Sequence, residues 1–189
     1  MGSGSVTTCV LLSGGLDSAA CLHYYLALER PVRALFVDYD QAAVHAERGS
    51  ARAVARFYGA ALGEITVSGP KTFSAGEIVG RNAFLVMTAA MHHPTRSGVI
   101  ALGIHAGTGY YDCSPDFLSL VNRILDGYSD GRVRCDAPFI GWDKLAIWRY
   151  CQKCAVPVEL TYSCEAGQTP PCGRCLSCLD RRQLHASKA

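Results

Sequence analysis

The sequence predicts an α/β fold, a doubly wound parallel sheet with a small four-cysteine module at its C-terminal end. Three observations predict it. Short apolar runs alternate with helix-periodic segments between residues 6 and 151. The first run breaks at Ser13-Gly14-Gly15 directly before a helical pattern, which is a strand, a tight loop and a helix in sequence. Cys164, Cys172, Cys175 and Cys178 gather behind the last of these segments. Residues 6–160 therefore read as the α/β domain, and 161–189 as an appendage packed on it in one structural unit.

The first strand covers residues 6–12 and ends at Leu12. The loop Ser13-Gly14-Gly15-Leu16-Asp17-Ser18 leads into a helix carrying Ala19, Ala20, Leu22, Tyr25, Leu26 and Leu28 on its apolar face. A helix start offers free N–H groups and the positive end of the macrodipole, so it attracts anions. The glycines keep the turn free of bulk, and both serines can face one phosphate cluster. Asp17 suits an anion site only if a divalent cation or a nucleotide hydroxyl binds there as well. A plain linker is the alternative reading of Ser-Gly-Gly.

Residues 32–38 form the second strand, apolar enough to be buried on both faces, and the intervening helix makes a right-handed βαβ unit. Asp38, Tyr39 and Gln41 stand at its C-terminal end, where open α/β sheets bind ligands, and adenosine is expected there. A solvated loop acid is the competing account of Asp38. Residues 42–62 read as the second helix, with Val44, Ala51, Val54, Ala55 and Tyr58 facing inward, and 64–67 as a short third strand.

Residues 68–76 lack periodicity and read as loop. Gly80-Arg81-Asn82 opens a helix over 83–91, so a cation and an amide stand at a second helix start, suited to phosphate or a planar substrate. A surface salt bridge explains Arg81 equally well. The fourth strand covers 98–104 and runs into a glycine-rich loop, 105–109. Tyr110 to Ser114 follow, with Ser114 as N-cap of a helix over 115–125. Residues 133–137 form the fifth strand and 143–151 a further helix, with Lys144 at its start either reaching phosphates or facing solvent.

A chain of 189 residues, half of them apolar, has a core large enough to need no staples. The formal net charge is only +2, and the one basic cluster is Arg174, Arg181 and Arg182. That gives no strong nucleic-acid signal. No apolar run approaches the ~20 residues of a membrane span, and no signal peptide is visible. Gly2-Ser3-Gly4-Ser5 reads as an expression scar. The ten cysteines fit a reducing, cytoplasmic setting better than a secreted scaffold.

Cys172-Gly-Arg-Cys175-Leu-Ser-Cys178 places thiolates in a glycine-containing knuckle, and Cys164 can close a tetrahedral shell from an upstream turn. Four sulfurs leave no open position, so Zn²⁺ held there would be structural. Disulfides are the alternative. Cys9, Cys21, Cys151 and Cys154 read as ordinary buried thiols.

Ser-Gly-Gly-Leu-Asp-Ser resembles the pyrophosphate-loop signature of the ATP pyrophosphatase superfamily, and no Gly-x-x-x-x-Gly-Lys-Ser/Thr is present. With Gly80-Arg81-Asn82, Tyr111-Asp112-Cys113, Lys144 and the four cysteines, nearly the whole chain resembles the 7-cyano-7-deazaguanine synthase family. The resemblance implies an adenine nucleotide α-hydrolase-like, Rossmann-like fold. It implies ATP, Mg²⁺ and Zn²⁺ as cofactors, and adenylation of 7-carboxy-7-deazaguanine followed by attack of ammonia and dehydration to the nitrile. ATP would be held by Leu12 to Ser18, Asp38, Tyr39 and Gly103. The heterocycle would meet Gln41, Arg81, Asn82, Tyr111, Asp112 and Cys113. Asp17, Ser18, Arg81 and Lys144 would serve the chemistry. A homodimer is expected, and a divergent relative would pass the acyl group to another amine, such as a protein, or keep only the nucleotide pocket. Asp40 stands where the family usually has glycine.

Overall fold

The computed structural model describes residues 7–70, 73, 76–93 and 97–186. Val6, the segment 2–5 and parts of the loop 68–76 lie outside the described residues. Five strands, β1 (Thr7–Leu11), β2 (Val32–Asp38), β3 (Ala61–Thr66), β4 (Gly98–Ala101) and β5 (Val133–Asp136), form one sheet in the order β3-β2-β1-β4-β5. Every pair is parallel. The chain thus works outward from β1 in one direction, then returns to build the other side. The switch between the two directions lies at β1 and β4, where such sheets bind ligands beyond their strand ends.

Helices α1 (Leu16–Leu26), α2 (Val44–Phe57) and α5 (Lys144–Lys153) pack on one face, and α3 (Arg81–Met91) and α4 (Pro115–Ser129) on the other. Strand periodicity assigns the faces. Val10, Ala34, Phe36, Val99 and Ala101 join the first core; Cys9, Leu11, Leu35, Val37 and Ile100 join the second. Val10, Leu22 and Phe36 are almost fully buried, each worth roughly 1.5–3 kcal/mol of apolar transfer. Caps fix two of the helix starts: Ser114 accepts from Phe117 N at 3.1 Å and Asp143 from Ala146 N at 2.6 Å.

The second helix is shorter than its sequence pattern. It stops at Phe57, and Ala61 and Leu62, read as helical, open β3 instead. Gly59 adopts φ +63°, its N–H reaches Arg56 O at 3.1 Å, and Ala60 N reaches Ala55 O at 2.9 Å. That is a Schellman closure, which satisfies the last carbonyls and turns the chain. The fourth strand likewise ends at Ala101 rather than residue 104.

The appendage continues through a sixth helix, α6 (Leu176–Ala186). It is tied to the sheet end at two places. Tyr162 N donates to Gly14 O at 3.0 Å. A Cβ on Gly167 would come within 2.3 Å of Ala42 O, so this turn lies directly on the loop after β2. Leu184 of α6 joins the first core.

Candidate active site

The loop between β1 and α1 is held from both sides. Gly14 has φ +82°, and a Cβ there would sit 2.5 Å from Glu47 O and 2.8 Å from Ala51 N, so α2 packs on the bare loop backbone. A Cβ on Gly103 would approach the Asp17 carbonyl to 2.6 Å, so the chain leaving β4 lies against the first turn of α1. Ser13 Oγ donates to Ser18 Oγ at 3.2 Å, and Ser18 Oγ to Gly15 O at 2.9 Å. No side chain caps α1, whose first turn keeps its N–H groups for a ligand.

These groups line a cavity of about 300 Å³ at the carboxyl edge of the sheet. Ser13, Gly15, Leu16, Asp17 and Ser18 form its floor with Leu12, and Gly103 lies on the β4 side. Lys144 reaches in from the start of α5, its Nζ 2.5 Å from Asp17 Oδ2, while His105 Nε2 lies 3.8 Å from the same oxygen. Asp17 Oδ1 is buried and has no hydrogen-bond partner. A buried carboxylate oxygen without a donor suits a cation or a bound hydroxyl. Burial lowers the His105 pKa, with the Asp17 charge opposing and Lys144 assisting.

Tyr39, Gln41, Arg81 and Asn82 also line this cavity. Glu47, which the sequence reading missed, stands among them. It accepts from Gln41 Nε2 at 2.9 Å, and burial raises its pKa against the Gln41 hydrogen bond and the Arg81 charge. The signal was its place one turn into α2, facing the same way as Ala51.

Five sequence candidates lie outside the cavity lining, Gly14 among them, covered by α2. Asp38 is turned to Arg48 in an ion pair, and its Oδ1 accepts from Asp40 N at 3.1 Å. Asp112 instead caps α3, accepting from Asn82 N at 3.1 Å, while its carbonyl takes Asn82 Nδ2 at 2.9 Å. Tyr111 is exposed and meets Phe117 edge-on. Cys113 is buried, and burial raises its pKa, so the thiol stays protonated behind Asn82. Asp112 and Cys113 thus hold the start of α3, and neither lines the cavity. Asp40 adopts φ +61°, the conformation that explains glycine at that place, and aspartate is among the few side chains that tolerate it.

The appendage closes the cavity with residues that no local pattern announced: Tyr162, Ser163, Glu165, Ser177, Asp180 and Arg181. Behind them, the sulfurs of Cys164, Cys172, Cys175 and Cys178 lie within 4.8 Å of one another, a cluster able to hold a metal ion. Cys172 N points at Cys164 Sγ at 3.3 Å and Cys175 N at Cys172 Sγ at 3.4 Å, which favours thiolates. Burial opposes ionisation of Cys164, but backbone donors from Cys172, Gln168 and Ala166 outweigh it and bring its pKa to about 6. Cys9, Cys21, Cys151 and Cys154 are free thiols apart from this set.

The chain matches the family described as queuosine biosynthesis protein QueC over residues 7–79 and 70–188. It belongs to the QueC family. Its relatives include the 7-cyano-7-deazaguanine synthase of Aquifex aeolicus, 32% identical over 92% of this chain and 94% of that one. The enzyme of the same name from Synechococcus sp. is 32% identical over 91% of this chain and 89% of its own, and that of Prochlorococcus marinus 28% over 91% and 89%. As a QueC-family member the chain is an enzyme, an ATP-dependent ligase. The fold is shared with NMN synthetase from Francisella tularensis, at a TM-score of 0.50 and 18% identity over 86% of this chain and 67% of that chain. No helix among the described residues is long and apolar enough to cross a membrane.

Proposed function

We propose that this QueC-family chain activates 7-carboxy-7-deazaguanine with ATP and converts it, with ammonia, to 7-cyano-7-deazaguanine. The observation that carries the reading is the convergence in one cavity of the 13–18 loop, the Lys144–Asp17 pair and Arg81. A carboxylate does not react with ammonia until its oxygen becomes a leaving group. A carboxylate oxygen therefore attacks the α-phosphorus of ATP, and the bond to pyrophosphate breaks. Ammonia displaces AMP to give the amide. A second adenylation, on the amide oxygen, lets AMP leave with that oxygen and yields the nitrile.

The chain's part is to hold charge and geometry. The first-turn N–H groups of α1, Ser13 and Ser18 cradle the phosphates, and Lys144 stabilises the negative charge of departing pyrophosphate. Arg81 and Asn82 orient the acid so that its oxygen meets the phosphorus in line. Gln41 and Glu47 supply polar groups for a base-like heterocycle. No side-chain nucleophile is required, in keeping with the protonated Cys113. Mg²⁺ would be held by Asp17, whose unpartnered Oδ1 fits it, and would supply charge neutralisation at the phosphates. Zn²⁺ would be held by the four clustered cysteines and would supply structure rather than chemistry.

The test is a product mass. Protein, ATP, 7-carboxy-7-deazaguanine and ammonia should give the nitrile, AMP and pyrophosphate. An amide or a protein adduct as the end product would redirect the reading to another amine acceptor, and absence of pyrophosphate with this acid would refute it.

A further inference from the structure

Arg181 is a half-buried cation held by neutral partners. It stands in α6, three residues after Cys178, and lines the cavity. Its Nη1 donates to Thr161 O at 2.8 Å and Thr161 Oγ1 at 3.1 Å, and its Nη2 donates to Val158 O at 2.8 Å. All three acceptors are neutral. Among the described residues no carboxylate lies within ion-pair distance of it. Asp180 is its sequence neighbour, and adjacent residues on a helix point apart.

Burial pulls the Arg181 pKa down, with the charge of Cys178 opposing it. A guanidinium keeps its charge regardless, and of its five N–H donors three are used. The carbonyls fix the plane of the group without neutralising it. The cavity needs such a charge. Its lining holds four acids, Asp17, Glu47, Glu165 and Asp180, against Lys144, Arg81 and Arg181, and Lys144 is already committed to Asp17. A triphosphate or a carboxylic acid entering this space adds further negative charge, so an uncommitted, preoriented cation is worth more than a mobile one. Arg181 also lies close to the phosphate loop: it grips Thr161, and the next residue, Tyr162, is hydrogen-bonded to Gly14 O.

We infer that Arg181 is an oxyanion-binding residue of the active site, delivered to the cavity by the metal module. The inference rests on the adenylating reading above. It gives the four-cysteine cluster a part in ligand binding, because Cys178 and Arg181 share one turn of α6. The shared ligand chemistry is an oxyanion, from either the phosphates of ATP or the carboxylate of the acid.

Calorimetric titration of the full chain and of Arg181→Gln separates the two sources. The probes are ATP against adenosine, and 7-carboxy-7-deazaguanine against 7-deazaguanine. Loss of one charge-assisted contact should weaken one anion about ten- to a hundred-fold and leave its neutral counterpart unchanged. Loss with ATP assigns Arg181 to the phosphates; loss with the acid assigns it to the carboxylate. Arg181→Lys keeps the charge but loses the fork, so it should fall between. If Arg181→Gln does not fold, the lysine variant is read alone, with wild-type metal content and melting temperature required and a several-fold selective loss expected. Equal affinities for each anion and its neutral counterpart, relative to wild type, overturn the inference. Failure of the wild type to bind the 7-carboxy compound would sink the proposed substrate instead, and the ATP and adenosine pair would still decide Arg181.

Discussion

Lys144 and Asp17 stand 127 residues apart in sequence and 2.5 Å apart in space, joining the start of α5 to the first turn of α1. Only one Asp17 oxygen is used, since Oδ1 is buried without a partner. An ion pair built for stability alone would place both oxygens on donors. Asp17→Ala should therefore reduce pyrophosphate release by about 10²-fold or more, the scale of losing one preorganised electrostatic group. Lys144→Met should do the same with little change in melting temperature. Full turnover in either variant would remove the pair from the chemistry.

Gly103 makes a second, purely steric prediction. A methyl group there would lie 2.6 Å from the Asp17 carbonyl and 2.7 Å from Ser18 N, both backbone atoms that cannot swing aside. Gly103→Ala should cost about 1–3 kcal/mol by overpacking and also weaken ATP binding, because what it displaces is the anion cradle. Gly109→Ala is the control: nothing lies within 4 Å of its added carbon. Denaturant midpoints with and without ATP check both.

The elements legible in sequence were those with local causes. The Ser-Gly-Gly break after an apolar run, the capping residues Ser114 and Asp143, and the strand alternation each carry their physics within a few residues. The end of α2 was also legible in Gly59, but Ala60, Ala61 and Leu62 continue an apolar, helix-compatible run that hid the stop. Asp38 was hard to read for a different reason. A strand-end acid looks free until Arg48 arrives from one helix further on. Tyr162 and Arg181 reach the cavity only through packing of the appendage on the loop, and no spacing rule encodes that convergence.

Two histidines set an acid limit. His105 Nδ1 accepts from Gly107 N at 3.0 Å, a bond that an imidazolium cannot keep, and burial lowers its pKa. Burial lowers the pKa of His23 as well. A base with a folded pKa below its unfolded value of 6.5 binds more protons when unfolded, so stability is full above about pH 6.5 and falls as pH drops through the folded value. Urea midpoints should fall between pH 7.5 and 5.5. His105→Asn, whose side-chain oxygen can still accept from Gly107 N, should show a smaller fall; an identical slope would mean that His105 titrates normally.

The four-cysteine cluster provides the last prediction: on the proposed reading it should couple stability to ligand binding. Cys175→Ala leaves three sulfurs, and loss of a structural metal belongs to the few changes that cost more than about 4–5 kcal/mol. For a chain of this size that corresponds to a melting temperature lower by roughly 10–20 °C. The damage should extend to the cavity, since Tyr162 N holds Gly14 O and the Gly167 turn rests on Ala42. ATP affinity should therefore fall together with metal content, and a chelator on the wild type should reproduce both effects until zinc is restored. Cys151→Ala is the matched control: that thiol is buried in the core, its pKa pushed up to about 12 by burial, and it lies outside the cluster. Its metal content should equal the wild type's. A Cys175→Ala protein that keeps its melting temperature but binds no metal would show that the appendage folds by packing alone, and would break the link between the cluster and the loop.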